Sequence, residues 1–160
     1  MNKSEYQCIG AVEYDPILCY MPDCKNCKLD KCIQDMNLIK LTSDLKYIFP
    51  LNNFMRELRI KRGFVTDGSS VPQGFWSLVG HPLEHKFLRP AILHDALYGT
   101  HLVTRKEADC LFYKYLTEFQ KLNKLISYLM YISLRAFGGY HWGKASDKLI
   151  RQRKKFVSII

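Results

Sequence analysis

The hydrophobic pattern changes character near residue 87, from alternation in the first half of the chain to helical spacing in the second. Within residues 45–68, Leu58 and Ile60 alternate with charged residues, and β-favouring side chains cluster on either side of "PLNN". Alternation of this kind is typical of strands with one buried face, and "PLNN" is suited to a turn between two of them. The pattern predicts a small antiparallel sheet that ends at "TDGSSVP".

Two helices are predicted next, and together they form a hairpin. Pro90 is suited to the first turn of a helix that Gly99 would end. The segment "TRKE" is a capping box, with Thr104 as N-cap and Glu107 as its reciprocal partner, so the following helix is expected to begin at Arg105.

A third helix is predicted from about residue 122 to Phe137, ending at Gly138 and Gly139. Its apolar run "LISYLMYISL" has ten residues, whereas a membrane-spanning helix needs roughly 20. The run therefore predicts a core helix of a globular domain.

The elements together predict an α+β fold that is mainly α. A small antiparallel sheet is followed by a helical hairpin and a third core helix, with a Cys-rich N-terminal arm. A chain of 160 residues can bury a real core but is short for two full domains. We expect a Cys-rich segment over residues 1–40, a globular domain over 41–145 and a basic C-terminal tail over 146–160.

The net charge of the chain indicates which kinds of partner it could bind. The chain has 24 Lys and Arg against 15 Asp and Glu, a net charge of +9, which favours phosphate-bearing partners, either nucleic acid or an anionic membrane surface. Part of the excess lies in "RQRKKF" at 151–156, which we interpret as a solvated tail. No recognised nucleic-acid-binding motif orders the basic residues on one face. The N-terminal residues lack the apolar core of a secretory signal, so export by that route is not expected.

Five of the six cysteines fall within the first 32 residues. Four of them are spaced as C-x4-C-x2-C-x4-C, a spacing that can bring thiolates together in a tetrahedral Zn²⁺ site. Disulfides, or an iron–sulfur cluster, are alternatives with the same residues. The candidate zinc ligands are Cys19, Cys24, Cys27 and Cys32.

The candidate chemistry lies in "AILHDALYGT" at 91–100. In an antiparallel hairpin whose loop is centred between residues 101 and 102, His94 lies level with Asp109, because the rise per residue is equal along both helices. A carboxylate that binds one imidazole nitrogen fixes the tautomer and lets the other nitrogen remove a proton from water. Tyr98, one turn after His94, shares its face and would brace the pair.

Two features leave alternatives open. Asp109 has a local partner in Arg105, one turn earlier on the same helix, which would make an ordinary surface ion pair. Asp95 points about 100° away from His94 around the helix, toward a place where a cation could lie.

Four motifs carry a family resemblance: "GFVTDGSSVP", "RPAILHDALY", "TRKEAD" and "LRAFGGYHW". In this order and spacing they resemble the domain-of-unknown-function 1353 family of bacteria, which their phages often encode. The resemblance covers roughly residues 45–142 and brings no assigned activity. A phage-encoded member would be expected in the host cytoplasm or the virion.

The same motifs are similar, more distantly, to secreted phospholipase A2 enzymes, especially the small bacterial type. That resemblance implies His94 as general base, Asp109 as its orienting carboxylate, Tyr98 as a supporting donor, and Asp67 and Asp95 as Ca²⁺ ligands. The cysteines that flank these motifs in the secreted enzymes are replaced here by Ser69 and Ala91.

Three functions follow as expectations. The first is a Ca²⁺-dependent carboxylic ester hydrolase acting on phospholipid, with the basic surface meeting an anionic phospholipid surface. The second is a non-catalytic phage virion or assembly protein that contacts other virion proteins. The third is a nucleic-acid-binding module. Burial of His94 without a solvent-reachable nitrogen would count against catalysis.

Overall fold

A computed structural model of the chain describes residues 6–10, 14–17, 38–66 and 85–160. Asp67 and the cysteine quartet of the predicted zinc site lie outside these residues. Within them, strands and helices combine in the predicted α+β fold. The strands are β1 (Gln7–Ile9), β2 (Tyr14–Ile17), β3 (Leu38–Leu41), β4 (Leu45–Leu51), β5 (Phe54–Ile60), β6 (Val65–Thr66) and β7 (Val157–Ile159).

Two antiparallel sheets contain these strands, one in the order β1-β4-β5-β7 and the other in the order β2-β3-β6. The hairpin predicted at "PLNN" is present, because β4 and β5 pair across the two turn residues Asn52 and Asn53. Both asparagines have positive φ, 52° and 66°, as a two-residue hairpin turn that matches strand twist requires.

The helices are α1 (His85–Thr100), α2 (Arg105–Lys114), α3 (Lys124–Phe137), α4 (Gly139–Lys144) and α5 (Asp147–Arg153). A π-helical turn, Tyr115–Phe119, continues α2. The capping box is confirmed, since Thr104 accepts from the Glu107 N–H and the Glu107 side chain accepts from the Thr104 N–H.

Two predicted helix ends are wrong. Helix α1 begins at His85, so Pro90 lies inside it and not in its first turn. Burial of Phe87 and Leu88 against the core outweighs the single backbone hydrogen bond that a proline removes. At the other end α1 passes Gly99 and stops before His101, whose φ of 50° closes the helix. Gly99 instead makes room for the side chain of Arg153.

The predicted third helix is present and contributes Met130 and Leu134 to a core cluster, but along one side of the helix. Helix α3 buries Ser127, Met130 and Leu134, whereas Leu125 is 67% and Phe137 76% exposed. A helix that is apolar on all sides is expected to be buried, but the described elements cover α3 along one side only. The helix ends at Phe137 as predicted, with Gly138 as its C-cap, but Gly138 has a right-handed φ of −66° and α4 follows directly.

Residues 146–160 are an ordered part of the folded unit and not the solvated tail that the charge pattern suggested. Helix α5 packs against α1, and β7 forms the edge of the larger sheet beside β5. The pairing buries Val157 and joins the backbones of Glu57 and Ile160 in both directions. The basic residues occupy exposed positions of this segment, so its composition did not indicate that its apolar residues are in contact with the core.

The core lies between the larger sheet and helix α1. Strand β4 contributes Leu45, Tyr47 and Phe49 from alternate positions, all fully buried. The Tyr47 hydroxyl donates to the carbonyl of Arg89 on α1 at 2.9 Å, and the Tyr115 hydroxyl reaches two strand carbonyls. These bonds fix the hairpin α1–α2 on the sheet.

Candidate active site

His94 and Asp109 face each other across the α1–α2 hairpin. His94 Nε2 lies 2.9 Å from Asp109 Oδ1, so the contact that equal rise along the two helices predicted is present. Both side chains are buried, His94 with 3% and Asp109 with 0% exposure. The hydrogen bond therefore forms where water competes little for either partner.

Asp109 has further partners on both of its oxygens. The Tyr98 hydroxyl donates to Oδ1 at 2.6 Å, and Arg135 Nη1 of α3 donates to Oδ2 at 2.7 Å. Arg105 Nε lies 3.8 Å from Oδ2. The local ion pair with Arg105 thus exists alongside the His94 contact, and the carboxylate links α1, α2 and α3.

These contacts decide the charge of Asp109. Burial raises its pKa, but the hydrogen bonds from His94, Tyr98 and Arg135 outweigh burial, so the pKa of Asp109 lies below its ordinary value. Burial, and then the bond to Asp109, raise the pKa of Tyr98. At neutral pH the site therefore holds an ionised carboxylate and a protonated phenol that donates to it.

Arg105 has a role that the sequence reasoning missed. Its Nη2 donates to the carbonyl of Leu134 at 2.9 Å and also to that of Arg135, and its Nε donates to the Tyr98 hydroxyl at 3.3 Å. Both carbonyls belong to the last turn of α3, where that of Leu134 also accepts the Gly138 N–H at 2.8 Å. Arg105 therefore attaches the end of α3 to the site.

Arg135 was also missed as a partner of Asp109. Twenty-six residues separate the two, and no periodicity connects them. The signal that could have found it is the single charge that ends the apolar run 125–134. An arginine on the buried side of a helix needs a nearby carboxylate.

An aromatic layer supports the site from the other side of Tyr98. The Trp142 ring packs edge-on against Tyr98 at 5.0 Å between centroids and stacks on His101 at 4.0 Å. His101 Nε2 is buried and has no hydrogen-bond partner among the residues that the structure describes. This layer restricts the Tyr98 ring, so its hydroxyl stays directed at Asp109.

Asp95 points away from the His94–Asp109 pair, as its helical position predicted. The Thr66 hydroxyl donates to Asp95 Oδ2, so the carboxylate lies at the end of β6, beside the strand residue that immediately precedes Asp67. The described residues contain no cluster of three or more His, Cys, Asp or Glu side chains that could hold a metal ion. Asp95 is thus the one predicted calcium ligand that the described part of the chain places.

Comparisons with known proteins identify a family. A family described as "Protein of unknown function (DUF1353)" matches residues 39–134. The chain is 33% identical over 76 residues to the uncharacterized protein y4jT and 35% identical over 78 residues to the uncharacterized protein y4iH, both of Sinorhizobium fredii. These segments are 48% and 49% of this chain but 22% and 32% of the relatives, so the chain matches less than a third of either. No solved structure matches.

Across the described residues, no helix is long and apolar enough to cross a membrane.

Proposed function

The chain belongs to the DUF1353 family of proteins of unknown function, and we propose that this member is a hydrolase of carboxylic esters, with phospholipid as its substrate. The observation that carries the proposal is the 2.9 Å contact between His94 Nε2 and Asp109 Oδ1. A carboxylate that fixes one nitrogen of an imidazole is the usual means of orienting a histidine general base.

The proposed reaction uses three side chains. Asp109, held ionised by its donors, keeps the proton of His94 on Nε2. The other ring nitrogen, Nδ1, accepts a proton from water while the water oxygen attacks the ester carbonyl. The tetrahedral intermediate then collapses, its bond to the alcohol oxygen breaks, and the proton on Nδ1 passes to that oxygen. Tyr98 keeps Asp109 in place through its 2.6 Å hydrogen bond.

We also propose Ca²⁺ at Asp95 and Asp67, as the resemblance to phospholipase A2 implies. When bound, the ion would stabilise negative charge on the carbonyl oxygen. The Asp95 side chain points toward the end of β6, because it accepts a hydrogen bond from the Thr66 hydroxyl. This direction is the one that the proposed calcium site needs. Calcium prefers six to eight oxygen ligands, and the described residues supply one carboxylate, so no step of the mechanism is assigned to the ion.

The decisive experiment compares hydrolysis of a phospholipid vesicle and a simple soluble ester by the wild type and by His94→Gln. We expect the rate to fall roughly 10²- to 10⁴-fold in the variant, the range for loss of a general base. The matched control is His141→Ala, which removes an exposed histidine on α4 and should leave the rate unchanged. Equal rates in wild type and His94→Gln would exclude His94 as the base.

Calcium is tested separately from activity. Titration calorimetry with Ca²⁺ should show binding to the wild type that Asp95→Asn weakens, and Asp44→Asn, an exposed carboxylate in another turn, should not change it. Binding that is the same in all three proteins would place the ion elsewhere.

Zinc at Cys19, Cys24, Cys27 and Cys32 is a further proposal, based on their spacing alone. Metal analysis of the purified protein should give one zinc per chain. A thiol-modifying reagent should release this zinc, which would confirm that cysteines bind it. Iron and sulfide, or resistance of these cysteines to modification until a reductant is added, would favour the cluster or the disulfides instead.

A second candidate function is a non-catalytic phage virion or assembly protein. The 3% exposure of His94 and the donors on both oxygens of Asp109 favour its non-catalytic part, because a buried, saturated network can simply hold three helices together. If neither substrate is hydrolysed with or without Ca²⁺, and the protein purifies with phage particles in a fixed ratio, this candidate replaces the enzyme.

A further inference from the structure

Helix α3 has an apolar stripe that the described elements leave uncovered. The stripe consists of Leu125, Leu129, Ile132 and Ala136, whose spacing of four, three and four residues places them along one side of the helix. Its three large side chains are 43% to 67% exposed. Together with the neighbouring exposed Tyr128, and taking about 200 Å² for a fully exposed large side chain, on the order of 400 Å² of this surface meets water.

A cluster of three tyrosines borders the stripe on the side of α2. Tyr128 and Tyr131 of α3 and Tyr113 of α2 have ring centroids between 6.0 and 6.4 Å apart. The Tyr131 hydroxyl oxygen lies 3.8 Å from Cys110 Sγ on α2. Because tyrosine has an apolar ring and a polar hydroxyl, such a cluster suits a boundary between an apolar phase and water.

Lysines lie around these apolar and aromatic side chains. In residues 105–137 every charged side chain at an exposed position is a lysine, and these are Lys106, Lys114, Lys121 and Lys124. Lys106 and Lys114 lie one turn before and one turn after Cys110, and Lys124 lies one turn before Tyr128, so all three lie beside the tyrosine cluster. Among the described residues no carboxylate forms an ion pair with any of the four.

We propose that this α2–α3 outer surface, which comprises the apolar stripe, the tyrosine cluster and the four lysines, binds an anionic lipid bilayer. This binding mode rests on the proposed function, because it names the surface that brings a phospholipid hydrolase to its substrate. The aliphatic side chains enter the boundary of the acyl chains, the tyrosine hydroxyls lie among the headgroups, and the lysine ammonium groups contact lipid phosphates.

Charge and chemistry favour lipid over other partners. Two copies of a chain with net charge +9 repel each other, and the uncovered area is small beside the roughly 800 Å² that each partner gives to a standard protein interface. Nucleic acid offers phosphates to the lysines but no apolar phase to leucine and isoleucine side chains. An anionic bilayer offers both, and a fluid surface needs no complementary shape.

The first test measures binding without hydrolysis. Vesicles of ether-linked phosphatidylglycerol and phosphatidylcholine contain no carboxylic ester, so flotation with them reports binding alone. We expect the wild type to bind, and the double change Leu129→Ser and Ile132→Ser to lower the partition coefficient roughly 10- to 100-fold, because two large apolar side chains no longer enter the bilayer. The control is Phe54→Ser at the tip of the β4–β5 hairpin, where the side chain is 65% exposed. It should bind as the wild type does, and circular dichroism checks that all variants keep their helices.

The second test concerns the lysines. The double change Lys114→Gln and Lys124→Gln should lower binding to the same vesicles roughly 10- to 30-fold, at about five-fold for each lysine near an anionic surface. The matched control, Lys154→Gln with Lys155→Gln, removes the same charge from exposed positions just after α5. Its effect should be less than about three-fold, because salt screens charges that lie away from the bilayer.

The third test locates the side chains in the bilayer. A tryptophan introduced as Leu129→Trp should gain fluorescence that lipid brominated on its acyl chains quenches, relative to the background of the wild type. A tryptophan introduced as Phe54→Trp should not be quenched. Quenching of the second tryptophan and not the first would place the hairpin tip in the bilayer and overturn the proposal.

Further variants separate this surface from the proposed catalysis. His94→Gln should bind the ether-lipid vesicles as the wild type does. Leu129→Ser with Ile132→Ser should hydrolyse the soluble ester at the wild-type rate but hydrolyse ester-linked vesicle phospholipid more slowly. Vesicle binding that depends on α3, without hydrolysis of either substrate, would refute the hydrolase and support the surface. Hydrolysis of the soluble ester without vesicle binding would do the reverse.

Three further results would overturn the proposal. The first is a wild type that does not float with the anionic vesicles. The second is binding that the changes in α3 leave unaltered, or that Phe54→Ser lowers as much. The third is a wild type that binds a single-stranded oligonucleotide through Lys114 and Lys124 and does not bind vesicles, which would make the α2–α3 outer surface a nucleic-acid-binding surface.

Discussion

Asp109 is the residue at which three helices meet, and its environment was only half visible in the sequence. His94 and Asp109 lie at the same height in the hairpin because the rise per residue is equal along the two helices. The 2.9 Å contact between them could therefore be predicted. The contact with Arg135 could not, because it depends on how α3 packs against α2. What was predicted is local geometry, and what was missed is a tertiary contact.

The lowered pKa of Asp109 predicts a specific loss of stability in acid. A carboxyl whose pKa is depressed in the folded state adds stability that is complete above its unfolded pKa of about 4 and is lost as pH falls toward the folded value. Urea unfolding from pH 7 to pH 3 should therefore show a decline below about pH 4. In Asp109→Asn this part of the decline should be absent, and a profile as steep as that of the wild type would contradict the assignment.

The same variant should be less stable at neutral pH. Asparagine leaves the guanidinium of Arg135 without its carboxylate, although Arg135 is one-third exposed and water partly replaces the loss. We expect Asp109→Asn to lower the free energy of unfolding by roughly 2 kcal/mol at pH 7. Glu118→Gln on the π-helical turn, which removes a carboxylate outside this network, should change it by less than about 0.5 kcal/mol.

At the scale of elements, helix starts were predictable where a local hydrogen bond defines them. The capping box fixes the first residue of α2 through two side chains, Thr104 and Glu107, within four adjacent residues. Pro90 was misleading, because a proline is tolerated in the second turn of a helix whose packing energy exceeds one missing hydrogen bond. A local hydrogen bond sets the start of α2, whereas burial of apolar side chains sets the start of α1.

Thr104→Ala should test the capping box directly. The change removes the side-chain acceptor for the Glu107 N–H, and N-cap losses of this kind cost about 1 kcal/mol. Ser158→Ala, at an exposed position of β7, removes a hydroxyl outside any helix cap. Chemical denaturation should show a loss for the first variant that the second lacks, and restoration of stability by Thr104→Ser would attribute the loss to the hydroxyl.

Gly138, between α3 and α4, should not accept a side chain. A β-carbon there would lie 2.8 Å from the Tyr98 hydroxyl and 2.6 Å from the Leu134 carbonyl oxygen. We expect Gly138→Ala to destabilise the protein by roughly 1–3 kcal/mol, the usual cost of overpacking. Gly143→Ala is the matched control in α4, since its β-carbon meets no atom of the described residues within 4 Å. A thermal midpoint that is unchanged in both variants would contradict the close contact.

At the scale of the whole molecule, the C-terminal residues complete the sheet. Deletion of residues 157–160 removes the edge strand β7, exposes the β5 backbone and uncovers the core beneath Val157. We expect a loss of at least about 2 kcal/mol, from one buried valine and its backbone pairing. The double change Lys154→Ala and Lys155→Ala reduces the basic charge without touching the sheet. A solvated tail would predict no loss from either change.

The sequence by itself determined the α+β class, the β4–β5 hairpin, the capped start of α2 and the level of His94 with Asp109. Each of these depends on residues close in sequence or on the fixed rise of a helix. Tertiary structure alone decided that α3 has an apolar face that the described residues leave exposed, that the basic C-terminus adds a strand, and that Arg105 and Arg135 join the site. These depend on which surfaces meet, because burial belongs to the packed molecule and not to the composition of any one segment.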